Sequence, residues 1–210
     1  MSETTVVHLL RHGEVHNPEG VLYGRLPEFH LSDNGRNMAK AVAGWFAGHD
    51  VVALYSSPLE RAQETAEPIS EAFGLPIHLD ERLVEAGNRL QGKIVNRDAL
   101  RDPRTWRYLY NPVLPSWGEP YHEIRRRMVA QIRAVRAEAR GREAVCVSHQ
   151  LPIWITRRAS EGRRLWHRPD RRQCALASVT SLTFEHDRLV SVSYTEPAAG
   201  LIVDSGPPGA

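Results

Sequence analysis

The chain has 210 residues, a hydrophobic share of 41%, a charged share of 25% and a formal net charge of +2, values ordinary for a soluble globular protein of one domain. No apolar run approaches a transmembrane helix, residues 1–5 carry no signal-peptide pattern, and two cysteines (Cys146, Cys174) make no disulfide framework, so a reduced, cytoplasmic setting is expected. The positive charge comes from 25 Arg and only 2 Lys, so any bound anion meets guanidinium forks.

In chain order, Val6 to Leu10 is apolar on both faces, the pattern of a strand in a parallel sheet, and it delivers Arg11 and His12 to its C-terminal end. Open α/β sheets bind ligands there. Residues 13–31 hold Gly13, Pro18, Gly20, Gly24 and Pro27 without a sustained period, a long loop of the functional kind. Ser32 to Gly35 introduces a helix with Met38, Val42, Trp45 and Phe46 inward, and Val51 to Tyr55 reads as a second strand. Ser57, Pro58 and Glu60 predict a capping box that opens a helix closed by Gly74, with Arg61 in its first turn and a kink at Pro68. Leu75 to Leu79 is a short strand. Residues 86–117, rich in Arg and carrying Trp106, Arg107, Tyr108, Tyr110 and Trp117, read as an inserted cap.

Tyr121 to Arg140 is a basic amphipathic helix, Ala144 to Ser148 a second buried strand ending at His149, and Gln150 to Ala159 a helix after it. Residues 177–184 and 189–194 alternate around a turn, a terminal β-hairpin. The expected fold is a three-layer α/β/α sandwich with a mostly parallel central sheet, a single domain over 1–196 and a flexible tail over 197–210. His8, His30, His49, His78, His122, His167 and His186 are taken as surface or packing residues.

Arg11, His12, Gly13 and Glu14 at the end of the first strand, with Asn17 following and Ser56 to Ala66 further on, resemble the histidine phosphatase superfamily, the phosphoglycerate-mutase-like group. The resemblance spans roughly residues 6–92 and 117–184. It implies a catalytic set of Arg11, His12, Arg61, Glu85 and His149, with Asn17, Tyr23, Gly24 and Gln150 lining the substrate site. The chemistry suits these residue types. An imidazole can attack phosphorus and hold the phosphoryl group, provided one ring nitrogen is unprotonated and the other anchored. Guanidiniums beside it disfavour the imidazolium and donate to the phosphoryl oxygens. Glu85 would protonate the leaving alcohol, with Glu81 and Glu119 as rivals for that role. Where the family usually carries glycine after the second histidine this chain has Gln150, which predicts a narrower pocket.

The implied activity is hydrolysis of a small phosphorylated metabolite through a phosphohistidine, without a cofactor. A mutase and a non-catalytic polyanion binder are the alternatives, the latter because residues 151–173 hold seven Arg with Trp154 and Trp166. His12 and His16 flank Glu14 at a metal-like spacing, but Gly13 and Pro18 argue for a loop, so no metal site is expected. The expected partner is the phosphorylated substrate alone, with neither nucleic acid nor membrane, in a monomer or homodimer.

Overall fold

A computed structural model describes residues 4–93 and 118–202. Six strands form one sheet in the order β3-β2-β4-β1-β5-β6. The strands are β1 (Thr4–Arg11), β2 (Val51–Ser56), β3 (Ile77–Leu79), β4 (Glu143–Ser148), β5 (Val179–Glu185) and β6 (Arg188–Thr195). The first four are mutually parallel, and β5 and β6 add the terminal hairpin antiparallel to β1. The mostly parallel sheet expected from the sequence is therefore present.

Side-chain alternation along the central strands divides the core in two. Val7 and Leu9 of β1, with Ala144 and Cys146 of β4, face α3 (Tyr121–Glu138) and α4 (Gln150–Ser160) through Ile124, Met128, Val135 and Ile153. Leu10, Val145 and Val147 face α1 (Asp33–Phe46) and α2 (Glu60–Phe73) through Met38, Val42, Phe46, Ala62 and Ile69. Burying both faces is what makes these strands read as continuous apolar runs. Each large apolar side chain so buried contributes on the order of 1.5–3 kcal/mol before the entropy of ordering it is counted.

Three local expectations are corrected. The capping box at α2 does not form. The helix begins at Glu60 with Leu59 as its cap residue and no side-chain bond to that cap, and the Ser57 N–H that Glu60 would accept in the box donates to the Val147 carbonyl instead. β3 begins at Ile77, two residues later than expected. The chain beyond β6 does not loosen at residue 197. Residues Ala199–Leu201 form a 3-10 helix, Ala198 is buried against the α1 side of the core, and the Leu201 carbonyl accepts from Asn34. The expected cap lies largely outside the described residues, Trp106, Arg107, Tyr108, Tyr110 and Trp117 among them. Its described flanks meet in a bridge between Asn88 and Gly118. Among the described residues, no helix is long and apolar enough to cross a membrane.

Candidate active site

Register builds the site. β1 and β4 pair with Arg11 opposite Ser148, so His12 and His149 leave neighbouring strands at one level. The His12 backbone is fixed on both sides, its N–H donating to the Ser148 carbonyl and its carbonyl accepting from Ala177. β2 flanks β4 with Ser56 opposite Val147, and the chain turns from there into α2, whose first turn carries Arg61. One turn further along α2, Thr65 donates to the Arg61 carbonyl and accepts the Gly13 N–H at 3.1 Å, tying the helix to the strand-end loop.

The loop after β1 is clamped by close backbone approach. Gly35, in the first turn of α1, packs so tightly that an added Cβ would stand 2.0 Å from the Glu14 carbonyl oxygen. A Cβ on Gly13 would stand 2.7 Å from the Gly35 oxygen. The Glu14 carboxylate accepts from Ser32 and Asn34, so α1 and the loop hold each other.

His12 is fully buried, and its Nδ1 lies 2.8 Å from the Gly13 carbonyl, a bond that puts the ring proton on Nδ1. Its Nε2 has no partner. Burial first, then the charges of Arg61 and Arg11, hold the imidazole well below its ordinary pKa of 6.5, so it is neutral at pH 7. His149 lies with its ring centroid 5.1 Å from that of His12, likewise lowered by burial and by Arg61. Its Nε2 is 2.8 Å from Ser57 Oγ.

Arg11 donates to the Cys174 carbonyl and Arg61 to the Gly24 carbonyl, and the Arg61 guanidinium lies over the Tyr23 ring at 4.7 Å. These contacts use only part of each guanidinium. Among the described residues, nine buried side-chain nitrogen and oxygen atoms lack a partner, and five belong to Arg11, His12, Arg61 and His149. Unsatisfied buried polar atoms cost on the order of 1–3 kcal/mol each, and the arginine donors among them, gathered at one place, mark a site for an anion.

Glu85 is 5% exposed, and its Oε1 accepts the Ala86 N–H at 2.7 Å. Burial raises its carboxyl pKa, against the opposing pull of that N–H, Arg61 and Arg11. Its rivals are placed differently. Glu81 is exposed on a 3-10 helix, and the Glu119 carboxylate is taken up by Arg25 and Arg127. Of the expected lining residues, Tyr23 and Gly24 reach the site through Arg61. Gln150 reaches it as the first residue of α4, with its Oε1 3.2 Å from Arg172. The Asn17 carboxamide instead closes its own loop, bonding both N–H and carbonyl of Val21.

Two residues at the site had been passed over. Arg172 bonds both Gln150 and His167, and its charge acts on Glu85. In the sequence it is one more arginine of a basic loop, and no periodicity points it inward. Thr65 was recoverable, since it lies four residues after Arg61 on one helix face.

Comparison with known proteins agrees with this geometry. The pattern of the histidine phosphatase superfamily (branch 1) matches residues 7–197. The chain belongs to that superfamily and is an enzyme of it. It is 54% identical over 201 residues to the uncharacterized protein Rv0525 of Mycobacterium tuberculosis, covering 95% of this chain and all of that one (100%). It is 29% identical over 151 residues to phosphoserine phosphatase 1 of Hydrogenobacter thermophilus, covering 69% of this chain and 71% of that one. The mycobacterial glucosyl-3-phosphoglycerate phosphatase Rv2419c superposes with a TM-score of 0.71 at 26% identity, over 86% of this chain and 90% of that one.

Proposed function

We propose that the protein hydrolyses a small phosphomonoester through a phosphohistidine on His12. One observation carries this reading: a neutral, buried imidazole is anchored at Nδ1 with its Nε2 unpartnered between two guanidiniums. In the first step Nε2 forms a bond to phosphorus as the ester P–O bond breaks. Glu85, whose carboxyl burial pushes above the ordinary carboxylate range, gives its proton to the departing alkoxide. In the second, Glu85 takes a proton from water as the water oxygen bonds to phosphorus. The P–N bond then breaks, releasing inorganic phosphate and restoring His12.

Arg11 and Arg61 carry fixed donors for the negative charge spread over the phosphoryl oxygens. His149 adds a neutral one. That role needs the His149 proton on Nδ1, the unpartnered nitrogen, with Nε2 accepting from Ser57 Oγ. The similarity to phosphatases of glucosyl-3-phosphoglycerate and phosphoserine supports hydrolysis of small phosphorylated metabolites.

The test is a screen of such compounds with product analysis. One mole of inorganic phosphate should appear for each mole of substrate consumed, and His12→Ala should abolish it. Recovery of the phosphoryl group on a second hydroxyl of the substrate would mean a mutase instead.

A further inference from the structure

His8 and His49, expected to be surface or packing residues, meet Glu143 at the far end of the sheet. Glu143 opens β4, His49 stands in the turn between α1 and β2, and His8 projects from β1 toward α1, its ring 5.1 Å from that of Phe46. His8 Nε2 and His49 Nδ1 both lie against one oxygen, Glu143 Oε2, at 2.9 and 2.7 Å. One ligand atom from each of the three residues falls within 4.8 Å of the others. Five residue steps along β4 separate Glu143 from Ser148, roughly 16 Å at the rise of a strand, so this cluster is remote from His12.

We propose that His8, His49 and Glu143 form a zinc site that fastens the start of β4 to β1 and to the end of α1. Two imidazole nitrogens and a carboxylate oxygen are a donor set zinc takes, with a fourth position left for water. Three chain segments supply them, so the convergence is tertiary and not an accident of neighbours in sequence. A ligand imidazole needs an outer partner on its other nitrogen, and His8 has one: Nδ1 lies 2.8 Å from Ser181 Oγ. A hydroxyl can donate or accept, so Ser181 serves both states.

Without metal, each ring N–H points at Glu143. With metal, each ring turns that lone pair to zinc and carries its proton on the opposite nitrogen, His8 then donating to Ser181. Tetrahedral zinc at bonds of about 2.1 Å sets its ligands about 3.4 Å apart, so the two contacts must open by roughly half an ångström or slightly more. His8 is held rigidly, with 3% of its side chain exposed, whereas His49 at 28% and Glu143 at 22% have the freedom to open.

Titration of the chelator-stripped full-length chain with zinc chloride, followed by calorimetry and thermal unfolding, tests this. The wild type should bind zinc saturably, and one site should vanish in both His49→Gln and Glu143→Gln. Ser181→Ala should weaken that site by about 10- to 100-fold. Zinc at 100 times its dissociation constant should raise the unfolding temperature by roughly 5–10 °C in the wild type and not in His49→Gln. His49→Gln changes a partly exposed turn residue, and an unchanged circular-dichroism spectrum shows that it folds. A zinc ion held instead by His12 and His149 would be lost in His12→Asn and kept in His49→Gln. That pattern, binding unchanged in both cluster variants, or no saturable binding by the wild type, overturns the proposal.

Discussion

At the scale of single residues, two carboxylates near the site differ in what surrounds them. Glu85 is buried without a cationic side chain bonded to it, while Glu119 is held by Arg25 and Arg127. Only the first is suited to keep a proton. A general acid matters in proportion to how poor the leaving group is. Glu85→Gln, which keeps the shape and removes the proton, should slow an alkyl phosphate by about 100-fold or more. The same variant should barely affect p-nitrophenyl phosphate, and Glu119→Gln should show no such split. A split in Glu119→Gln alone would reassign the acid.

The histidines allow a second test at this scale. His12 has a folded pKa well below its ordinary 6.5, chiefly from burial. As pH falls through 6.5, the unfolded chain takes up a proton that the folded chain refuses, so stability drops on the acid side. Between about pH 7 and 5.5 one such histidine costs on the order of 1 kcal/mol. Urea unfolding of His12→Asn should therefore show a smaller acid-side loss than the wild type by about that amount. An equal loss in both would mean that His12 is protonated in the folded chain.

At the scale of elements, the contact that fixes the loop after His12 is backbone against backbone. Gly35→Ala would set a methyl 2.0 Å from the Glu14 carbonyl oxygen, so α1 or the loop must move. Urea unfolding should register a loss of roughly 1–3 kcal/mol, the range for overpacking. The rate of hydrolysis should fall as well, since Gly13 holds His12 Nδ1. A fully stable, fully active Gly35→Ala would show that the loop is not clamped there. Elements with strong periodicity were legible in the sequence: β1, β4 and α3 fall where their apolar patterns put them. Ser57 shows where legibility ends. Its position before Pro58 and Glu60 matches a local capping rule, yet its hydroxyl also serves His149, a residue 92 positions away, just past the end of β4. Arg172 was hidden for the same reason, because its partners Gln150 and Glu85 become neighbours only through the fold.

At the scale of the whole molecule, one parallel sheet gathers at its C-terminal end the residues that the strand-end motifs promised. His12 and His149 owe their meeting to the register of β1 against β4, and Arg61 owes its place to the turn from β2 into α2. In the proposed mechanism guanidiniums carry the charge that many phosphatases draw from metal, so exhaustive chelation should leave the hydrolysis rate unchanged. Restoration of a lost rate by magnesium or zinc would contradict that. His12 carries the proposed covalent step. Brief exposure of the wild type to phosphorus-labelled substrate, quenched in alkali, should leave acid-labile label on His12 and none in His12→Ala. Label on a serine or aspartate, or label that survives acid, would contradict the mechanism.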